Sequence, residues 1–141
     1  MKSVLIILSL FLSLVGFPAS AQLSHTLPVE IVEVMDQSRI ALYLDTDEID
    51  AIPEWRPGDG PPPLSLARVI ELLQAYIERT PRLKGGQIHE IEFKPIHNLE
   101  SKNRWYYLAQ LHSKASGKRL SYYVAVLADG KIVKAIQESG Y

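Results

Sequence analysis

Four histidines, His25, His89, His97 and His112, are the side chains of this 141-residue chain best suited to hold a metal or move a proton. None stands at a helical i, i+4 step or an alternate-residue step from another, the spacings that aim two imidazoles the same way. His89 and His97 are too far apart along one strand to share an ion. One of the registers open to the strands sets His89 opposite His112, half of a zinc site with no third ligand evident. The run "DTDEID" at 45–50 invites a calcium reading. An EF-type loop alternates oxygen ligands and then needs Gly at its sixth place. Asp45 and Asp47 fit, but Asp50 holds the glycine place and Ile49 breaks the alternation. A solvated acidic loop is the expected reading. Glycoside cleavage by the same carboxylates needs a cleft that so small a domain has little material to wall. There is no cysteine, which removes thiol catalysis and thiolate metal sites. No G-x-S-x-G elbow and no glycine-rich phosphate loop is present. The expectation is a non-catalytic chain with no metal and no cofactor.

The elements that would position any site begin after residue 21. Met1-Lys2-Ser3 gives a short positive start, and "VLIILSLFLSLV" follows without a charge. Gly16, Phe17 and Pro18 then break the run, and "ASA" precedes Gln22. That is the pattern of a cleaved secretory signal over 1–21, and the run is shorter than the roughly 20 residues of a membrane span. A periplasmic or secreted location, with no membrane contact after cleavage, is expected. A disulfide-free exported chain must rest on a packed core. Net charge is only −1, yet the acids crowd between Glu30 and Asp59, where Arg39 and Arg56 alone oppose them. An acidic lead over 22–63 should therefore fold against a mildly basic body over 64–141. No Lys/Arg run marks a nucleic-acid footprint.

Residues 28–44 read as a loose hairpin around "DQSR" or as one strand over 40–44, with a short helix over 28–36 as the rival. Residues 45–63 show no period and are rich in turn residues. Ser65 can cap the next helix. In it Leu66, Val69, Ile70, Leu73, Tyr76 and Ile77 recur at three- and four-residue steps, and Thr80-Pro81 ends it. Strands follow over 87–97, 104–112, 120–128 and 131–137. Asp129-Gly130 reads as a two-residue turn with both φ positive, which pairs Ala128 with Lys131, Val126 with Val133 and Val124 with Ala135. Trp105, Tyr107, Ala109 and Leu111 should join that core face if the preceding hairpin loop is even-numbered.

The helix shields one sheet face. The opposite face should carry Tyr106, Leu108, Tyr123, Leu127, Ile132 and Ile136, too apolar for water alone. The acidic lead, a second copy or another partner should cover it. "IPEWRPGDGPPP" is then a stiff joint: Trp55 either pins the lead to the body or stands out with Arg56 and Pro57 as a contact. Candidate binding residues are Trp55, Arg56 and Pro57, with Tyr106 and Tyr123 as second choice.

"PLSLARVIELL" followed by strands ending in "YYVAVLADGKIVKAI" resembles a PepSY-type domain over about residues 63–137, and at the same level it is similar to cystatin-like folds. The resemblance implies an α+β fold with one main helix on a four-stranded antiparallel sheet. It implies an exported, non-catalytic protein that inhibits or chaperones a peptidase, and it supplies no catalytic residues. The expected role is binding a protein or peptide. The alternatives are a self-associating subunit, as a homodimer, and a small metal binder or enzyme.

Overall fold

The structure, a computed structural model, describes residues 29–35, 38–97, 102–115 and 118–138. The expected signal at 1–21 and His25 lie outside them. Across the described residues the fold is α+β, with one main helix and two antiparallel sheets. The main helix, α2 (Leu66–Arg79), starts where expected: Ser65 Oγ accepts from the Arg68 N–H at 3.2 Å. Val69, Leu73 and Ile77 are its buried stripe. Leu66 falls outside that stripe and is half exposed. After Thr80 a turn of 3-10 helix, Pro81–Leu83, drops Leu83 into the core.

The helix lies on a sheet ordered β3 (Gln87–Pro95), β4 (Trp105–Ala115), β5 (Lys118–Val126) and β6 (Ile132–Lys134). Tyr107 pairs with Val126 and Ala109 with Val124, so Tyr107, Ala109 and Leu111 face the helix. Gly86 shows how closely the loop before β3 approaches β4: a Cβ there would lie 2.7 Å from the His112 carbonyl oxygen.

The last hairpin corrects the expected register. Asp129 does not take positive φ; only Gly130 does, at 87°. The Gly130 N–H donates to Leu127 O and the Leu127 N–H to Lys131 O, each at 2.9 Å. This is a three-residue loop with glycine in the left-handed place. The register moves by one residue, so Val126 faces Ile132 and Ala125 faces Val133. Because side chains alternate, Ile132 goes to the helix side and Val133 to the other.

A second sheet, which the sequence reading did not foresee, covers the opposite face. Its order is β1 (Val29–Met35), β2 (Ser38–Leu44) and β7 (Ile136–Glu138). Of the readings open for residues 28–44, the hairpin is the one found. After β6 the chain crosses at Ala135 into β7, which pairs with β2, so one stretch serves both sheets. Ile31, Leu42 and Leu44 pack on Tyr106, Leu108, Ala125 and Leu127. Each such fully buried apolar side chain contributes roughly 1.5–3 kcal/mol. The lead thus supplies half of this cluster, with Ile31, Leu42, Leu44, Ile49 and Ile52, and is not an appendage. Ile136 lies in the second sheet and is half exposed, not on the four-stranded sheet as expected.

Candidate functional site

The acidic run at 45–50 is not a loose loop. Residues Thr46–Ala51 form a short helix, α1, in which the Asp45 N–H donates to Glu48 Oε2 at 3.0 Å. Acids at a helix start suit its exposed N–H groups. Ile49 and Ile52 are buried. Carboxylates of the lead meet cations of the body, as the charge split implies: Glu48 with Lys131, Asp50 with Lys102 and Glu54 with Arg104.

Trp55 packs on the body. Its ring lies 5.3 Å from Phe93 and 5.3 Å edge-on from Trp105. Its backbone N–H donates to Asn103 O at 3.0 Å, and its indole N–H to Gly60 O at 3.2 Å. Tyr107 donates its hydroxyl to Leu64 O at 2.7 Å, fixing the end of the joint. The crevice left among these rings is about 10 Å³, room for at most one water. Arg56 and Pro57 are exposed on the turn closed by Asp59, whose Oδ2 accepts from the Arg56 N–H at 2.9 Å. Trp55 is therefore placed as a pin.

Tyr106 and Tyr123 are not a free contact face. They are 0% and 3% exposed: Tyr106 is packed among lead residues, while Tyr123 accepts from Gln110 Nε2 at 2.9 Å and lines a hollow beside β5. Tyr106 donates its hydroxyl to Glu33 Oε1 at 2.9 Å. Glu33 also receives Lys94 Nζ at 2.8 Å and has His97 Nε2 at 3.4 Å. Burial, with the Glu33 carboxylate beside it, pushes the Tyr106 hydroxyl pKa far above that of an ordinary tyrosine. For Lys94 burial works against the charge, but hydrogen bonds to Glu33 and Glu92 overrule it and raise the pKa. This clasp ties β1 to β3 and β4.

His89 and His112 do meet. A bulge between Ile88 and Glu90 sets Gln87 opposite His112 and leaves the two imidazoles stacked, centroids 4.0 Å apart. No group of three or more His, Cys, Asp or Glu suited to a metal occurs among the described residues.

The feature that sequence reasoning missed lies beside β5. β6 pairs only with Val124–Val126, and one further bond joins the Ala135 N–H to Tyr123 O at 3.0 Å. No described strand pairs with residues 118–122 on that side. Strand alternation aims the backbone N–H and C=O of Arg119 and Ser121 toward this open side. At its inner end is a hollow of about 210 Å³ lined by Tyr76, Arg82, Tyr122, Lys134 and Gln137, among others. The Arg82 guanidinium sits 5.3 Å above the Tyr122 ring centre. The signal for it was the shortness of "KIVK" against "KRLSYYVAV", legible only once the hairpin register is known.

Other edges are less open. β3 carries its bulge and ends in Pro95, both devices that discourage strand addition. On the outer face of the three-stranded sheet Val32, Val34 and Ile136 are exposed, and Arg39 bridges Glu30 and Glu138 at 2.5 and 2.7 Å. Among the described residues no helix is long and apolar enough to cross a membrane.

No protein-family model, no curated protein and no solved structure matches this chain.

Proposed function

We propose that the chain is an exported, non-catalytic domain that binds an extended segment of a partner protein or peptide along the outer edge of β5. The observation that carries this is the backbone of Arg119 and Ser121, which no described strand pairs on its outer side, running into the Tyr122 hollow. Main-chain pairing gives such a site affinity and a side-chain pocket gives it selectivity. Blocking a peptidase, as the PepSY-like resemblance implies, is one form the role takes, since an inhibitor must hold on to the enzyme or its substrate. Export rests on the expected signal.

The test is fluorescence anisotropy with a pool of labelled eight-residue peptides, on wild type and Ser121→Pro. The Ser121 N–H points to the open side, so proline spares the β4–β5 ladder and blocks the added strand, at the cost of the Ser121 Oγ that accepts from Gln110 Nε2 at 3.3 Å. The expected result is binding to wild type that proline abolishes, with the Arg119 and Ser121 amides protected from exchange in wild type when peptide is bound. Bound peptide with no protection at those amides sinks the reading, whether or not the proline variant folds.

A second reading, a self-associating subunit, is favoured by the exposure of Val34 at 76% and Ile136 at 54% on the outer face of the three-stranded sheet. Light scattering would give twice the monomer mass, and Val34→Lys would return it to one.

A further inference from the structure

We infer that the segment held at the β5 edge is acidic, with one carboxylate seated between Arg82 and Lys134. This rests on the strand-addition reading above. Among the described residues, the cations where the lead meets the body differ from those around β5. Lys94, Lys102, Arg104 and Lys131 each face a carboxylate. Around β5 the pattern reverses. Arg82 and Lys134 line the hollow with no carboxylate in its wall, and neither has an ion-pair partner among the described residues.

Lys118 and Arg119 extend the positive row along the open edge, both exposed. Lys118 and Tyr122 share the helix-side face of β5, four residues apart. A strand added there has side chains at the same period, so acids four positions apart on it meet Lys118 and the hollow together, roughly 13 Å apart. Arg82 is held over the Tyr122 ring, which leaves its planar fork oriented before a carboxylate arrives. The tyrosines Tyr76 and Tyr122 offer the apolar wall for the carbons that carry the acid. Chemistry of this kind selects an extended acidic stretch of another protein over a basic or neutral one.

The test uses three labelled seven-residue peptides: alternating Glu and Val with an amidated end, the same peptide with a free carboxyl end, and alternating Lys and Val with an amidated end. Each is titrated against wild type, Ser121→Pro and the double variant Arg82→Gln/Lys134→Gln. The amidated Glu peptide should bind at least about tenfold tighter than the Lys peptide, and the double variant should lose most of that margin. Raising salt should weaken the Glu peptide alone. A large gain from the free end alone would make the ligand a C-terminal carboxylate and overturn the side-chain assignment. Equal binding of Glu and Lys peptides, still lost in Ser121→Pro, overturns the acid preference and leaves the strand-addition reading standing. No binding of any peptide, with no protection of the Arg119 and Ser121 amides, overturns both. Self-association of the chain that the double variant dissolves would put a second copy in the groove in place of a partner.

Discussion

Lys94, on β3, has carboxylate oxygens at 2.8 and 3.2 Å, whereas Arg82 and Lys134, at the β5 end of the same sheet, have none among the described residues. The surroundings differ in the same sense. Over β3 and β4 the lead closes down, and its polar groups are matched: Glu33 takes Lys94 and Tyr106 together. Along residues 118–122 of β5 no described strand pairs on one side, and the cations line a hollow. A buried charge must be partnered or it destabilises the fold, while a charge beside solvent is held at little cost. The first region is thus under constraint from folding. The second is not, and its residue choices are free to answer to a ligand.

Substitutions break or sharpen that contrast. The largest effect should come from Leu42→Ala, which empties a fully buried place under the second sheet. It should lower stability by about 2–5 kcal/mol in urea denaturation. Leu73→Ala on the helix side should cost a similar amount. Both should show one transition by tryptophan fluorescence and by circular dichroism, because the two cores share the four-stranded sheet. Separate transitions would mean that the lead is an independent layer after all.

Trp55→Ala comes next, with a loss of about 2 kcal/mol for a half-buried aromatic that pins the joint. Peptide affinity at β5 should be unchanged. Unchanged stability with lost affinity would reverse the assignment and make Trp55 the contact.

Within the clasp, Glu33→Gln should cost about 1–3 kcal/mol, because Lys94 keeps only Glu92 and the Tyr106 hydroxyl loses a charged acceptor. The pH dependence has a definite sign. Tyr106 and Lys94 both have folded-state pKa values raised above their unfolded ones. Their contributions are fully present below about pH 10, the ordinary range of both groups, and are lost as pH rises through the folded values. The denaturation midpoint should therefore fall above about pH 10, and Tyr106→Phe should flatten that fall. An alkaline slope untouched by Tyr106→Phe would assign it to Lys94 and to exposed lysines.

Several of these elements were legible before any coordinates. The helix from Ser65 to Thr80 follows from period and caps, and the four-stranded sheet from its aromatic and β-branched runs. Three things were not. Asp-Gly supports both a two-residue turn and a three-residue loop with glycine last, and only the second lets Ile132 join the helix-side core. Residues 45–51 hide a helix because one turn is too short for periodicity to register, although Asp45 and Glu48 already form its start. The second sheet needed β7, three residues long, and no local pattern says that a chain will leave one sheet for another at Ala135. The same crossing uncovers the outer edge of β5, so the site was hidden for the same reason.

The smallest effect expected is also the sharpest test of the contrast. Lys134 is exposed on the rim of the hollow and is in no ion pair among the described residues. Lys134→Gln removes a charge that no described carboxylate answers. Surface changes of this kind fall within about ±0.5 kcal/mol, and at low salt the sign should be favourable, since Arg82 lines the same hollow and repels it. Affinity for the acidic peptide should fall even so. If Lys134→Gln instead lowers stability by more than about 1 kcal/mol, a scale that surface sites seldom reach, Lys134 answers to folding as Lys94 does. The division between a partnered β3 side and a waiting β5 side then fails.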